Sequence, residues 1–414
     1  MKPLAAVVLL LLAGAPAHGD DAKQTDARSE RPAAGWSVRP FAIDDEQAGF
    51  HVGLTGYVQA DFRSYQGWSA AEDARYPTAG WRRVRVGIEG RWQRLRFQLD
   101  TAPVLQPGKE LQDAWLELRI LRELRVRAGH QKMPLGVEWL FFLSKTDFLE
   151  RAAIVDALSP DRDWGVQLLG ELGRLAEYRV GVFEGDGRTR ANRAGTTVAG
   201  KLVLKPASWL DLTGSAALGQ VKAGAGAKAK GFEESSLTGW TFFDPLHVDG
   251  RRLRRGVDVR VQSGPAALSA EYLDEREQRR GQGLALEDLP DVRGRGFALT
   301  GTWLLTGEKK VRTIRPRRAL FGGPGAVEIA ARYEEAHADD VANQGPEATG
   351  SRAANVRPAA FSALTGGVSW WPAPMLRLMG NVVLERYGDP PRAPEPGHHG
   401  SYVSLLARVQ LMLP

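Results

Sequence analysis

Residues 81–100 read WRRVRVGIEGRWQRLRFQLD and alternate with a period of two. Val84, Val86 and Ile88 share one parity, and Arg83, Arg85, Glu89 and Arg91 share the other. Leu95, Phe97 and Leu99 then alternate with Arg94, Arg96, Gln98 and Asp100, leaving Arg91 to Arg94 for the turn. A period of two sends alternate side chains to opposite faces of a strand, so the stretch is a tight hairpin with one apolar and one cationic face. A soluble sandwich would turn the cationic face to water. The rest of the chain has to decide between that and a barrel.

A chain of 414 residues accommodates several soluble domains or one large closed architecture. Lys2, the apolar run Leu4 to Leu12 and the small-residue pattern Ala15-Pro16-Ala17 predict a signal peptide over residues 1–19. Residues 20–48, rich in Asp, Ala, Arg, Ser and Pro without periodicity, predict a flexible N-terminal arm, with the main domain over 49–414. The chain has no Cys, which excludes disulfides and thiolate metal sites. Beyond the leader, the longest apolar run is Trp139 to Leu143, far short of the roughly 20 residues of a membrane helix. The mature protein is therefore an exported soluble protein or a transmembrane β-barrel. A net charge of +6 is modest for a nucleic-acid binder of this length, and no nucleic-acid partner is expected.

Alternation recurs along the chain. Candidate strands lie at 51–63, 81–92, 95–100, 109–121, 123–132, 164–172, 175–183, 196–205, 209–219, 251–262, 266–274, 292–305, 326–335, 360–371, 375–387 and 401–413, sixteen in all. Several are close to the about 9 to 11 residues that cross a bilayer at a tilt. Tight links at 92–93, 121–122, 173–174, 206–208, 263–265 and 372–374 alternate with long ones such as 64–80, 133–163, 184–195, 219–250 and 388–400. Short periplasmic turns alternating with long outer loops are what a membrane barrel requires, and an even strand count leaves both chain ends on the periplasmic side. The basic link 306–325 breaks the rule, being long where parity calls for a short turn.

Magnitude decides which face looks where. An Arg facing lipid at mid-membrane costs roughly 2–4 kcal/mol, so the arginines of strands two to five face the lumen. Trp92, Trp303, Trp370, Trp371 and Tyr387 lie near strand ends and suit either interfacial girdles or plain packing. The expected fold class is all-β, an antiparallel transmembrane β-barrel surrounded by outer-membrane lipid.

Arg82-Arg83 opening an alternating strand, Gln112-Asp113-Ala114, Gly129-x-x-Lys132-x-Pro134-x-Gly136, Phe148-Leu149-Glu150-Arg151 and Asp163-Trp164-Gly165 resemble the phosphate-selective porins of the O and P type. So do Ala270-Glu271-Tyr272, Leu305-Thr306-Gly307-Glu308, Ala330-Ala331-Arg332-Tyr333 and the final hairpin around Trp370. The resemblance implies a sixteen-stranded outer-membrane barrel, usually a homotrimer, that passes phosphate or other small anions along an arginine-lined wall and through a constriction. Arg85 and Lys132 stand where the most phosphate-selective members have tyrosine, which makes this throat more cationic.

Arg suits weak, repeated anion capture because its planar fork gives paired hydrogen bonds and keeps its charge. A series of moderate sites lets an ion hop between them. The candidate anion ladder is Arg83, Arg85, Arg94, Arg96, Arg119, Arg125, Arg127 and Lys132, unless Glu89, Asp100, Asp113 and Glu117 simply balance them as solvated lumen charges. Residues 133–163 are too long for a turn, and Asp147-x-x-Glu150 ahead of Arg151 to Ile154 predicts a short capped helix. Folded into the barrel as a constriction loop, this segment would present Lys145, Glu150 and Arg151; packed over the rim, it would use the same residues. The charges of the 306–325 link either gather anions at the periplasmic mouth or are plainly solvated. No Gly-x-Ser-x-Gly, His-Glu-x-x-His or Walker pattern occurs, and His398-His399 reads as exposed, so neither catalysis, metal nor cofactor is expected. A non-selective solute porin, an outer-membrane hydrolase and an adhesive barrel are the alternatives to a channel for small anions.

Overall fold

A computed structural model describes residues 37–39, 41–66, 79–103, 110–185, 195–221, 246–340, 352, 354, 359–388 and 401–413. The proposed signal peptide and His398-His399 lie outside them. The strands are β1 (Ser37–Arg39), β2 (Ala42–Asp45), β3 (Phe50–Gln66), β4 (Ala79–Trp92), β5 (Leu95–Thr101), β6 (Leu111–Arg119), β7 (Arg125–Lys132), β8 (Arg162–Leu172) and β9 (Ala176–Phe183). They continue as β10 (Thr197–Ala207), β11 (Leu210–Val221), β12 (Gly250–Ser263), β13 (Ala266–Arg279), β14 (Leu289–Leu304), β15 (Ala326–Asp340), β16 (Ala359–Ala373), β17 (Leu376–Tyr387) and β18 (Ser401–Met412).

From β3 to β18 each strand pairs antiparallel with the next, and β18 returns to β3 from Val403↔Gln66 to Met412↔Tyr57, closing a sixteen-stranded barrel. All sixteen expected strands are present, and closure leaves the wall without a free edge. The end of the N-terminal arm carries two short strands. Within the stretch read as flexible, β1 pairs with β2, and β2 adds to the base of β3 at Ala42↔Gly53, so backbone pairing orders these residues without an alternating pattern.

Burial is inverted relative to a soluble protein. On β4, Arg83 and Arg85 are 7% and 6% exposed while Val86 is 48% exposed; on β18, Arg408 is 1% and Val409 40% exposed. Polar side chains thus line the inside and apolar ones the outside, as lipid demands. Of the girdle candidates, Trp92 and Trp303 are exposed. Trp371 turns inward against Leu304, Ile314 and Ala326, and Tyr387 packs inside against Phe361 and Tyr402.

One irregularity matters for the site. Gln59 pairs with Arg83 and Ala60 with Trp81, which leaves Arg82 as an extra residue on β4. Such a bulge breaks the alternation of faces. Arg82 and Arg83, adjacent in sequence, therefore both reach the lumen.

The core is the segment between β7 and β8. Met133, Leu135, Leu149, Ile154 and Leu158 are at most 1% exposed, clustered with inward residues of the wall such as Phe183, Leu273, Val292, Ala336 and Met379. The loop is folded into the lumen rather than over the rim. It carries two short 3₁₀ turns, Glu138–Leu140 and Leu143–Lys145, and helix α1 (Ala153–Leu158). Gly296 of β14 makes room for α1: a Cβ there would lie 2.4 Å from Ile154 Cγ2.

Candidate functional site

The loop is held by the charges of the wall around it. Glu150, fully buried, accepts hydrogen bonds from Arg63 (2.7 Å), Arg82 (2.9 Å), Arg83 (2.7 Å) and Arg408 (3.2 Å). Burial alone would raise its pKa, but Arg82, Arg83 and Arg63 override that and hold it well below the usual carboxylate range. Asp61 bridges two of the same arginines, accepting from Arg408 Nε at 2.6 Å and Arg63 at 2.8 Å.

A second set of cations meets backbone carbonyls. Lys132 Nζ donates to the carbonyls of Trp139 (2.6 Å) and Phe141 (2.8 Å), and Arg151 donates to Phe141 O (2.9 Å) while lying over the Trp139 ring. Arg332 donates to Glu150 O and Arg377 to Thr146 O. Carboxylates do the opposite task. Glu271 of β13 accepts from the N–H groups of Val137 (2.9 Å) and Glu138 (3.1 Å), and Gly136 permits that approach, since a Cβ there would lie 2.3 Å from Glu271 Oε1.

The helix start differs from the expected capping box. Asp147 bonds Lys310 and Glu150 bonds arginines, so neither caps α1. The free N–H groups are met instead by Glu138 on Ala152 and Glu334 on Ala153, carboxylates from elsewhere in the fold. Burial and nearby Glu271 push Glu138 up to about 7 against the pull of Arg332.

The predicted ladder is therefore divided. Arg83 and Lys132, with Arg151, are occupied in mounting the loop, and Arg85 donates to Gln112 at 2.6 Å beside Asp100. Arg127 and Arg125 flank Glu117, which Arg96 also approaches at 3.5 Å, with Arg96 half exposed. Arg94 and Arg119 sit exposed at the turns, and Lys145 is exposed on the loop.

Below the loop a cavity opens toward the tight-turn end, lined in part by Lys145, Arg179, Lys201, Arg260, Lys310 and Arg312. Arg312 and Lys310 belong to the 306–325 link, which turns up into the barrel: Lys310 bonds Asp147 and Glu328, and Arg312 lies over the Phe141 ring at 4.4 Å. The side chains of Arg179 and Arg260, which line this cavity, make no hydrogen bond or close ion pair among the described residues. Arg179 is within electrostatic reach of three cations, Arg127, Arg312 and Arg125, and of one carboxylate, Glu177. Sequence reasoning passed over Arg179, Lys201 and Arg260; their inward parity on strands β9, β10 and β12 was the available signal.

The family model of phosphate-selective porin O and P matches residues 52–413. No curated protein matches the chain at a significant level. Among solved structures, the chain is similar to the outer-membrane protein OmpT of Vibrio cholerae in a trimer form, with TM-score 0.56 and 11% identity over 88% of this chain and 100% of that one. It is similar also to an anion-selective porin from Comamonas acidovorans, with TM-score 0.54 and 16% identity over 88% and 100%. The outer-membrane channel DcaP of Acinetobacter baumannii aligns with TM-score 0.53 and 11% identity over 89% and 98%. These likenesses establish the fold, while the family match extends from the first barrel strand to the last. The chain belongs to the phosphate-selective porin O and P family and is an outer-membrane anion channel rather than an enzyme.

Proposed function

We propose that small oxyanions, phosphate among them, pass the constriction loop and enter the cavity beneath it, where Arg179, Arg260, Lys145 and Arg312 receive them in turn. The observation that carries this reading is the pair Arg179 and Arg260, inward cations with no ion-pair partner among the described residues, beside Arg312. Like charges gathered in a water-filled space repel one another, and a passing anion relieves that repulsion. Several sites of moderate strength favour entry without trapping. Arg96, half exposed, and the more covered Arg125 and Arg127 beside Glu117 supply the same chemistry along the adjoining wall. Arg83, Arg85, Lys132 and Arg151 act through the loop they hold. The family's assembly and the trimeric neighbour support a homotrimer of such channels.

Planar-bilayer recording tests this. The zero-current potential across a KCl gradient is expected to report anion preference, and inorganic phosphate is expected to reduce the chloride current by competing for the same groups. The double variant Arg179→Glu with Arg260→Glu is expected to lose most of the preference. Unchanged selectivity in that variant would remove the two arginines from the route.

A further inference from the structure

The outward faces of β12 to β15 are stacked in rows set by the strand register. Val257, Tyr272, Phe297 and Glu335 form one row; Tyr333, one row nearer the tight turns, packs against Phe297 at 5.9 Å and bonds the Glu335 carboxylate. One step further from the tight turns, Arg255, Asp274, Arg295 and His337 form the next row; beyond it come Arg276, Arg293 and Asp339. The outside of the barrel thus changes from apolar through aromatic to guanidinium, at the rim that carries the long loops.

Cost fixes where the bilayer ends. Four arginines turned to hydrocarbon would each cost up to roughly 2–4 kcal/mol, so the hydrophobic boundary lies at the aromatic row. Successive rows are two residues apart, about 7 Å along a strand, which puts the arginines at the level of the lipid headgroups. Their forks point outward: the side chains of Arg255 and Arg276 are 57% and 51% exposed, whereas Asp274, bonded by Arg255 and Arg293 at 2.6 Å each, is 3% exposed and covered by them. Arg276 and Arg293 lie directly opposite each other across the ladder, an unfavourable pairing offset by Asp291 and Asp274, and Arg295 pairs with Asp339 at 3.3 Å. The flanking strands carry no such charge, presenting Ala216 and Leu218 on β11 and Ala360 on β16 in the same rows.

We infer that this arginine collar on β12 to β15 is a docking surface for the phosphate headgroups of lipids in the outer leaflet. Guanidinium forks match phosphate oxygens in pairs, and Arg255 and Arg276, about half exposed, can turn their remaining N–H groups to a phosphate while their ion pairs to Asp274 and Asp291 stay in place. The surface is on the outside of the wall, separate from the conduction route.

Native mass spectrometry of the detergent-solubilised porin tests it, with bis-phosphorylated lipid A as probe and its fully dephosphorylated form and inorganic phosphate as comparisons. The intact protein is expected to retain the phosphorylated lipid at least tenfold more tightly than the dephosphorylated one. The quadruple variant Arg255→Ser, Arg276→Ser, Arg293→Ser, Arg295→Ser is expected to lose that difference, and the corresponding Lys variant to keep part of it. Heat-modifiable gel mobility verifies folding of each variant, and unit conductance is expected to match the parent. Equal retention of the two lipids, or equal retention by parent and folded Ser variant, overturns the inference. So does a Ser variant that loses subunit association while holding the lipid unchanged, which would assign the face to a second copy.

Discussion

Glu150 is the residue on which the inner wall converges. Replacing it by Gln leaves Arg63, Arg83 and Arg408 buried without their shared carboxylate, and breaking a buried ion pair from one side costs about 3–5 kcal/mol. A lowered denaturation midpoint in reconstituted Glu150→Gln protein is the expected readout. Glu138 behaves in the opposite sense. Its pKa is raised in the fold to about 7, so between its ordinary carboxylate range and 7 the folded protein binds more protons than the unfolded chain. Stability therefore falls as pH rises through that window and levels off above it. Glu138→Gln is expected to flatten the slope, which a pH series of denaturation midpoints would register. Neither role was legible beforehand: Glu150 is one carboxylate among many in the sequence, and its four partners come from β3 and β4 near one end of the chain and β18 at the other.

At the scale of elements, the sixteen strands were legible because a wall with lipid on one side and water on the other imposes strict alternation. The two N-terminal strands were not, since β1 and β2 are too short to show a period. The bulge at Arg82 hid for a related reason, because a pattern of two predicts opposite faces for Arg82 and Arg83. The loop's length was plain, but its destination was not; apolar residues such as Phe148, Leu149 and Ile154 would fit a rim or a lumen equally well. The link after β14 shows the same limit. Its length was read as an exception, and the upward turn of Lys310 to Asp147 needed the closed barrel. Replacing residues 306–325 by a two-residue turn is expected to raise single-channel conductance and weaken anion preference, since Lys310 and Arg312 leave the cavity together. Conductance equal to the parent would mean that the link does not narrow the path.

For the whole molecule, the inside-out burial makes opposite predictions for neighbouring residues on one strand. Leu299→Arg puts a charge toward lipid and is expected to cost up to about 2–4 kcal/mol in folding into vesicles, whereas Thr300→Arg faces water in the cavity and is expected to fold nearly as the parent. Urea titrations in vesicles compare the two. The loop inside the barrel has a mechanical meaning as well. A closed sheet without a packed interior is a hoop, stiff along its strands but easily squeezed into an oval by lateral pressure from the bilayer. The loop reaches β3, β4 and β18 through Glu150, β13 through Glu271, β15 through Arg332 and β17 through Arg377. It therefore works as an internal brace, and the same contacts that narrow the passage keep its cross-section round.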